Sequence, residues 1–105
     1  MYARVTLLEI DTMRTSLDDA LRRFRDETLP RLRRQPGYLG VWVLTTAAGK
    51  ALLMSLWETE KEADAEGDHH FYADELGRYA TLFGAPPGRE EYEVVLVDQP
   101  SERSA

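Results

Sequence analysis

Two adjacent histidines are the first candidates for acid–base chemistry in this chain. His69 and His70 are its only histidines, and an imidazole with a pKa of about 6.5 exchanges protons readily at neutral pH. Adjacent helical residues point about 100° apart, so at most one of the two can face a pocket. A pair of surface or helix-capping histidines is the plainer alternative. A metal site is another, since Asp68, His69, His70 and Asp74 offer ligands and His70 and Asp74 have i,i+4 spacing. Two nearby ligands are not a site, because catalytic zinc takes about three, so we expect no metal.

Aromatic residues near the histidines could line a pocket for a flat ligand. Tyr72 is a further candidate base, because a tyrosine hydroxyl can exchange a proton within hydrogen-bonding reach. Trp57, Tyr79 and Phe83 are candidate substrate-binding residues, since small-molecule pockets are lined mainly by apolar and aromatic groups. Arg78 could orient a phenolate, although an exposed, hydrated arginine is the ordinary alternative. For the aromatic residues the alternative is plain core packing.

Composition disfavours several other classes of function. The chain has 13 Lys and Arg against 19 Asp and Glu, a formal net charge of −6, whereas nucleic acids and anionic membranes require a positive face. The absence of cysteine excludes disulfides and thiolate chemistry. Without a long apolar run or a visible secretory leader, we expect a cytoplasmic protein that does not enter membranes. Glycine-rich nucleotide-binding motifs and GxSxG are also missing, so nucleotide cofactors and serine-hydrolase chemistry have no visible support.

The chain reads as one domain over 1–97 with a polar tail over 98–105. Ser16 and Asp19 resemble a capping box at the start of the first helix, and Pro30 is expected to kink or weaken its last turns. Hydrophobic periodicity and turn residues define the other boundaries. The predicted elements are strand 2–10, helix 16–34, strand 38–46, strand 51–57, a short helix within 58–67, helix 69–83 and strand 91–97.

The element order predicts an α+β, ferredoxin-like β-α-β-β-α-β fold: a four-stranded antiparallel sheet with helices on one face. A sheet with one face in water should alternate apolar and polar residues, yet the last three strands are apolar at nearly every position. Since the helices can cover only one face, we expect the other to pack against a second copy in a homodimer. A charge at Val43 or Leu53 would break that dimer if those residues face the partner.

Three stretches resemble the antibiotic biosynthesis monooxygenase (ABM) family. The first is LPRLRRQPGYLGVWVL, in which a Pro-Gly-Tyr-x-Gly run joins the first helix to the second strand. The second is Trp57-Glu58-Thr59 at the end of the third strand, and the third is the acidic segment KEADAEGDHHFYADEL. The resemblance covers roughly residues 2–97 and implies the fold of a dimeric α/β barrel.

The resemblance also implies an oxidoreductase that uses O₂ to oxidise a small aromatic or quinol-type compound without a cofactor. The substrate supplies the electrons, so the protein has to bind it and remove a proton, the role expected of His70, His69 or Tyr72. Two alternatives use the same scaffold. One is a cyclase or isomerase that only moves protons, and the other is a non-catalytic dimer that binds a small molecule.

Haem degradation, which some members of the ABM family catalyse, is not expected of this chain. Those members pair a Trp with a downstream His and add an Asn on the first strand. With the Phe of that pattern placed on Phe71, the Trp and His positions fall on Ala65 and Glu75. Residues 2–10 contain no Asn. Haem binding through His69 or His70 stays open as an alternative.

Overall fold

Four strands form one antiparallel sheet in the computed structural model, which describes residues 1–64 and 71–99. The order across the sheet is β2-β3-β1-β4, so the first and third strands of the chain lie at its centre. With the helices, this arrangement confirms the predicted ferredoxin-like α+β fold. The strands are β1 (Tyr2–Glu9), β2 (Tyr38–Thr45), β3 (Lys50–Trp57) and β4 (Gly88–Glu93).

The first helical region starts at its predicted cap. The Ser16 hydroxyl accepts a hydrogen bond from the backbone N–H of Asp19 at 3.0 Å, which satisfies one of the free donors at a helix start. Helix α1 (Leu17–Arg23) is followed by a π-helical segment, called here the π turn (Phe24–Thr28), and then by α2 (Leu29–Leu32). The helix predicted as far as Arg34 therefore ends at Leu32, and it is irregular just before Pro30, where a kink or weakening was expected.

Pro30 accounts for the π turn. A proline lacks the N–H that would bond to the carbonyl of Asp26, and its ring crowds that carbonyl. The chain widens just before it, and Leu29 donates its N–H to the carbonyl of Phe24, five residues back. The wider turn ends at Thr28, whose side chain is buried.

The second helical region is made of short pieces. Helix α3 covers Glu60–Ala63, α4 covers Phe71–Gly77, and a 3₁₀ turn covers Ala80–Leu82. The predicted helix over 69–83 therefore breaks after Gly77, a residue of low helix propensity, and its first two residues lie outside the described part of the chain. Within residues 1–64 and 71–99, none of the helices is long and apolar enough to cross a membrane.

The last strand is offset from its predicted range of 91–97. Pairing with β1 runs from Leu7↔Gly88 to Tyr2↔Glu93, and one further backbone bond joins Val94 to the carbonyl of Met1. The apolar residues Val95, Leu96 and Val97 are exposed outside the strand, although their composition favours a strand.

The two faces of the sheet have different surroundings. The inner face lies under the helices. At the end of β3, this face joins a core of Leu32, Trp57 and Ala63. Val43 and Leu53 point to this inner face, where they line a cavity, so they cannot serve as partner-facing positions. Because side chains alternate along a strand, their neighbours point the other way. We call this opposite side the outer sheet face, formed by Ala3, Val5, Leu7, Glu9, Gly40, Trp42, Leu44, Lys50, Leu52, Met54, Leu56, Glu90 and Tyr92.

Candidate functional site

A cavity of about 110 Å³ lies between the inner face of the sheet and the helices. Most of its lining is apolar, from α1 and the π turn on one side and from α4 and β1 to β3 on the others. Small-molecule sites have this character, with a few polar groups that orient the ligand. The polar lining residues are Arg4, Thr6, Thr28, Thr45, Ser55, Tyr72, Glu75 and Tyr79.

The first polar group of the cavity is centred on Tyr72, at the start of α4. Its hydroxyl is hydrogen-bonded to the hydroxyl of Thr6 on β1 at 2.8 Å. The guanidinium of Arg4 lies over the Tyr72 ring, 4.7 Å from its centroid, and that of Arg89 lies 6.0 Å from it. Burial raises the pKa of Tyr72, although the hydrogen bond and both arginines oppose the rise. The phenol therefore stays protonated at neutral pH.

Arg4 is itself buried, at 3% exposure, and several groups hold it. Its Nε donates to the carbonyl of Ala63 at 2.8 Å and its Nη2 to that of Glu62 at 3.2 Å. The guanidinium also lies 5.0 Å from the centroid of the Trp57 ring, a cation–π contact. A fixed positive charge at the cavity wall favours an anionic ligand group.

The second polar group joins three side chains from two helical regions. Thr28, at the end of the π turn, contacts the carboxylate of Glu75 on α4 at 3.0 Å and the hydroxyl of Tyr79. Arg31 donates from Nε to the same carboxylate at 2.7 Å, and this hydrogen bond raises the pKa of Arg31. Burial raises the pKa of Tyr79, while the bond to Thr28 lowers it.

The predicted site residues are distributed unevenly around this cavity. Tyr72, Tyr79 and Phe83 line it. Trp57 does not: it is 2% exposed and packs in the core, with its indole N–H donated to Ser55 at 2.9 Å. Arg78 is 49% exposed and lies 3.5 Å from the Glu75 carboxylate. His69 and His70 fall outside the described residues, so their role stays a prediction.

Six polar residues of the cavity were not proposed as site residues from the sequence: Arg4, Thr6, Thr28, Thr45, Ser55 and Glu75. Weak signals for four of them existed. Arg4 and Thr6 are two apart on an otherwise apolar strand, so they share one face. Thr28 interrupts the apolar stripe of the first helix, and Glu75 lies four residues from both Phe71 and Tyr79 on one helical face.

Alkaline pH is expected to destabilise the fold through Tyr72 and Tyr79. Both hydroxyls have raised pKa values in the folded chain, whereas in the unfolded chain they ionise near the ordinary value of about 10. The contribution of the two tyrosines to the free energy of unfolding is therefore intact below about pH 10 and is lost as the pH rises through their pKa values in the folded chain. Denaturant unfolding at a series of alkaline pH values measures this loss. The free energy of unfolding should fall less steeply with pH in the double variant Tyr72→Phe/Tyr79→Phe than in the wild-type protein. The same loss in both proteins would contradict this.

Neither a family model nor a curated protein matches the sequence, but solved structures match the fold. One is a monooxygenase from the ActVA-Orf6 gene of Streptomyces coelicolor, in complex with Nanaomycin D. It has a TM-score of 0.73 and 15% identity over 94% of this chain and 91% of its own. Another, named antibiotic biosynthesis monooxygenase, has a TM-score of 0.69 and 13% identity over 91% of this chain and 100% of its own.

A third similar structure has a different activity. It is the haem-degrader MhuD from Mycobacterium tuberculosis with two haems bound, with a TM-score of 0.70 and 19% identity over 94% of this chain and 100% of its own. At these identities the likeness concerns the fold, and one fold hosts several activities. The chain therefore has the fold that the antibiotic biosynthesis monooxygenases share.

Proposed function

We propose that this protein is a monooxygenase that oxidises a small aromatic or quinol-type compound with O₂ and needs no cofactor. The observation that carries the proposal is the apolar cavity on the inner face of the sheet, with two tyrosines among its few polar groups. A structure of the same fold is a monooxygenase in complex with Nanaomycin D. Independence from a cofactor is taken from the sequence resemblance.

The size of the cavity limits the ligand. Its volume of about 110 Å³ is somewhat below the roughly 150 Å³ of an apolar cavity that binds benzene. A single-ring compound with small substituents therefore matches the volume of the cavity best. A polycyclic compound would require the side chains of α1 or α4 to move, as happens in sites that close around their ligand.

The proposed reaction removes a proton from the substrate and lets its anion react with O₂. For an activated ring methylene, the balance is R₂CH₂ + O₂ → R₂C=O + H₂O, in which carbon supplies the four electrons that O₂ accepts. One C–O double bond forms, two C–H bonds and the O–O bond break, and the second oxygen leaves as water. Every electron comes from the substrate, so the protein has to bind, orient and deprotonate it.

Tyr72 and Arg4 are suited to the anionic stage of this reaction. The raised pKa of Tyr72 keeps its hydroxyl protonated, so it can hydrogen-bond to a substrate oxygen. The guanidinium of Arg4, over the same ring, stabilises negative charge in a site of low water content. The base that accepts the substrate proton is assigned to His69 or His70, as predicted from the sequence.

Oxygen uptake tests the proposal directly. Purified protein without added metal or flavin is mixed with anthrone, naphthoquinols and monocyclic hydroquinones, and O₂ is followed with an electrode. We expect uptake that depends on protein concentration, with a ketone or quinone product. Tyr72→Phe should lower kcat by about 10- to 100-fold if its hydroxyl stabilises the anion, and Tyr92→Phe, on the outer sheet face, is the matched control. Turnover without O₂ consumption would contradict the oxygenase and indicate a proton-transfer enzyme.

The proposal includes a homodimer that packs through the outer sheet face. Leu7, Trp42, Leu44 and Tyr92 on this face are each about half exposed, which is a large apolar patch for a single chain. Of the charged residues of the face, Glu9 and Lys50 pair with each other at one end, and Glu90 lies on the edge strand β4. A second copy also carries a net charge of −6, so contact through a nearly uncharged face limits repulsion between the copies.

The segment after β4 presents further exposed apolar side chains. Val95 and Leu96 are more than four-fifths exposed, and Val97 is also exposed. A partner sheet could cover these side chains in an isologous interface, in which each copy presents the same surface. We therefore expect the dimer to bury the outer sheet face together with this segment.

A further inference from the structure

Three side chains at the cavity wall form a chain of hydrogen bonds, and the direction in which their protons are donated constrains the ligand. Thr28, Glu75 and Tyr79 all line the cavity, and Thr28 and Glu75 are buried at 5% and 8% exposure. The Thr28 hydroxyl is the middle member, since it contacts both the Glu75 carboxylate and the Tyr79 hydroxyl. Which group donates in each contact follows from the chemistry of the three.

The carboxylate determines the direction of the chain of hydrogen bonds. Arg31 lies 2.7 Å from one oxygen of Glu75 and Arg78 lies 3.5 Å from it, so the carboxylate accepts from charged donors. An ionised carboxylate only accepts, so Thr28 donates to Glu75. A threonine hydroxyl has a single proton. Tyr79 must therefore donate its own proton to Thr28.

Tyr79 is left as an acceptor toward the cavity. Its one proton is engaged by Thr28, and the raised pKa of the phenol keeps that proton in place at neutral pH. The remaining capacity of its oxygen is for accepting a hydrogen bond. Arg23, whose guanidinium lies 4.9 Å from the ring centroid, and the packing of the ring at 9% exposure hold the side chain in this orientation.

The π turn supplies the middle member. Thr28 is its last residue, and the widened turn gives Thr28 a position different from that in a regular helix. Such π-helical insertions are frequent at functional sites. The π turn, which Pro30 accounts for, places this buried hydroxyl at the cavity wall, where a ligand would bind.

We infer that the Tyr79 oxygen accepts a hydrogen bond from a hydroxyl or N–H donor on the ligand. Thr28 and Glu75 are positioning residues that orient the Tyr79 hydroxyl. The inference rests on the proposed function and narrows its substrate class to aromatic compounds with a free ring hydroxyl or amine. Ethers and fully oxidised quinones, which offer acceptors alone, would face the Tyr79 oxygen without a proton between the two oxygens. An unmade hydrogen bond in a buried site disfavours their binding.

A matched pair of probes tests this without turnover. Binding of p-cresol and 4-methylanisole is measured by NMR titration under nitrogen; the two share the methyl-substituted ring, and in 4-methylanisole a methyl group replaces the hydroxyl proton of p-cresol. We expect wild-type protein to bind p-cresol about tenfold tighter, equivalent to about 1.4 kcal/mol. Tyr79→Phe should bring the two affinities within about twofold, and Tyr92→Phe, on the outer sheet face away from the cavity, should keep the preference.

Thr28 is tested as a positioning residue by loss of the preference for p-cresol. Thr28→Val removes the acceptor for the Tyr79 proton and frees that proton for the ligand, so 4-methylanisole should gain affinity relative to p-cresol. Thr28→Ser keeps the hydroxyl and should restore the wild-type order, which loss of packing alone would not do.

The outcomes for the inference and for the proposed function differ. Equal affinity of wild-type protein for both probes, or a tenfold preference that survives in Tyr79→Phe, would overturn the inference while oxygen uptake still supports the monooxygenase. If neither probe binds, the inference and the cavity as substrate site both fail. The wild-type comparison involves no substitution, so a variant that fails to fold leaves the test decisive.

Discussion

Replacing Trp57 with alanine is expected to lower the free energy of unfolding by about 3–5 kcal/mol, as for other large buried aromatic residues. The ring is 2% exposed and forms the core with Leu32 and Ala63. Its loss would also remove the donor to Ser55 and the ring under the guanidinium of Arg4. Urea unfolding of the wild-type and variant proteins measures the change.

Two further variants show which part of Trp57 matters. Trp57→Phe keeps an aromatic ring but lacks the indole N–H, so we expect a smaller loss of about 1–2 kcal/mol. Trp42→Ala removes a tryptophan that is 53% exposed on the outer sheet face, so a chain studied as a monomer should lose much less. If Trp57→Ala costs under 1 kcal/mol and instead abolishes ligand binding, Trp57 belongs to an open pocket, as its sequence position suggested.

A glutamate at the centre of the outer sheet face is expected to separate the proposed dimer. Leu52 and Met54 lie on the central strand β3, paired with Leu7 and Val5 of β1. In a sheet-to-sheet dimer, a new carboxylate there would be buried without a partner. The variants Leu52→Glu and Met54→Glu should each raise the Kd for dimerisation by about 100-fold or more.

Sedimentation equilibrium measures this change. Wild-type protein should have twice the chain mass of 12.0 kDa and each variant a mass near 12.0 kDa. Circular dichroism should be unchanged, because a charge on this face is in water once the copies separate. Ala48→Glu, in the turn between β2 and β3, adds the same charge elsewhere and should remain a dimer. Wild-type protein that is monomeric at every concentration would refute the homodimer, and dimeric glutamate variants would refute the choice of face.

Most of the fold was predictable because its signals are local. The Ser16 cap, the glycine and proline stops and the short apolar runs depend on neighbouring residues, and they yield the correct element order. The offset of β4 shows the limit of such signals. The run of apolar residues over 94–97 is typical of a strand, but the end of the sheet is set by where β1 begins.

The cavity was only partly predictable because it depends on residues far apart in the chain. Tyr72, Tyr79 and Phe83 were expected near a pocket from their types and spacing. The contact of Thr28 with Glu75 joins residues 47 positions apart. The sequence around Thr28 and the sequence around Glu75 do not predict this contact. Trp57 illustrates the reverse case, since the same aromatic residue suits a pocket or a core and packing alone distinguishes them.

By itself, the amino-acid sequence determined the order of strands and helices, the apolar character of both sheet faces and the exclusion of cysteine-based chemistry. These properties follow from composition and from periodicity along the chain. The tertiary structure decided which side of each strand meets the helices. A strand that is apolar at nearly every position does not show by its sequence which of its side chains face the helices. It also decided which polar groups meet at the cavity, since their hydrogen bonds form only when distant segments are brought together.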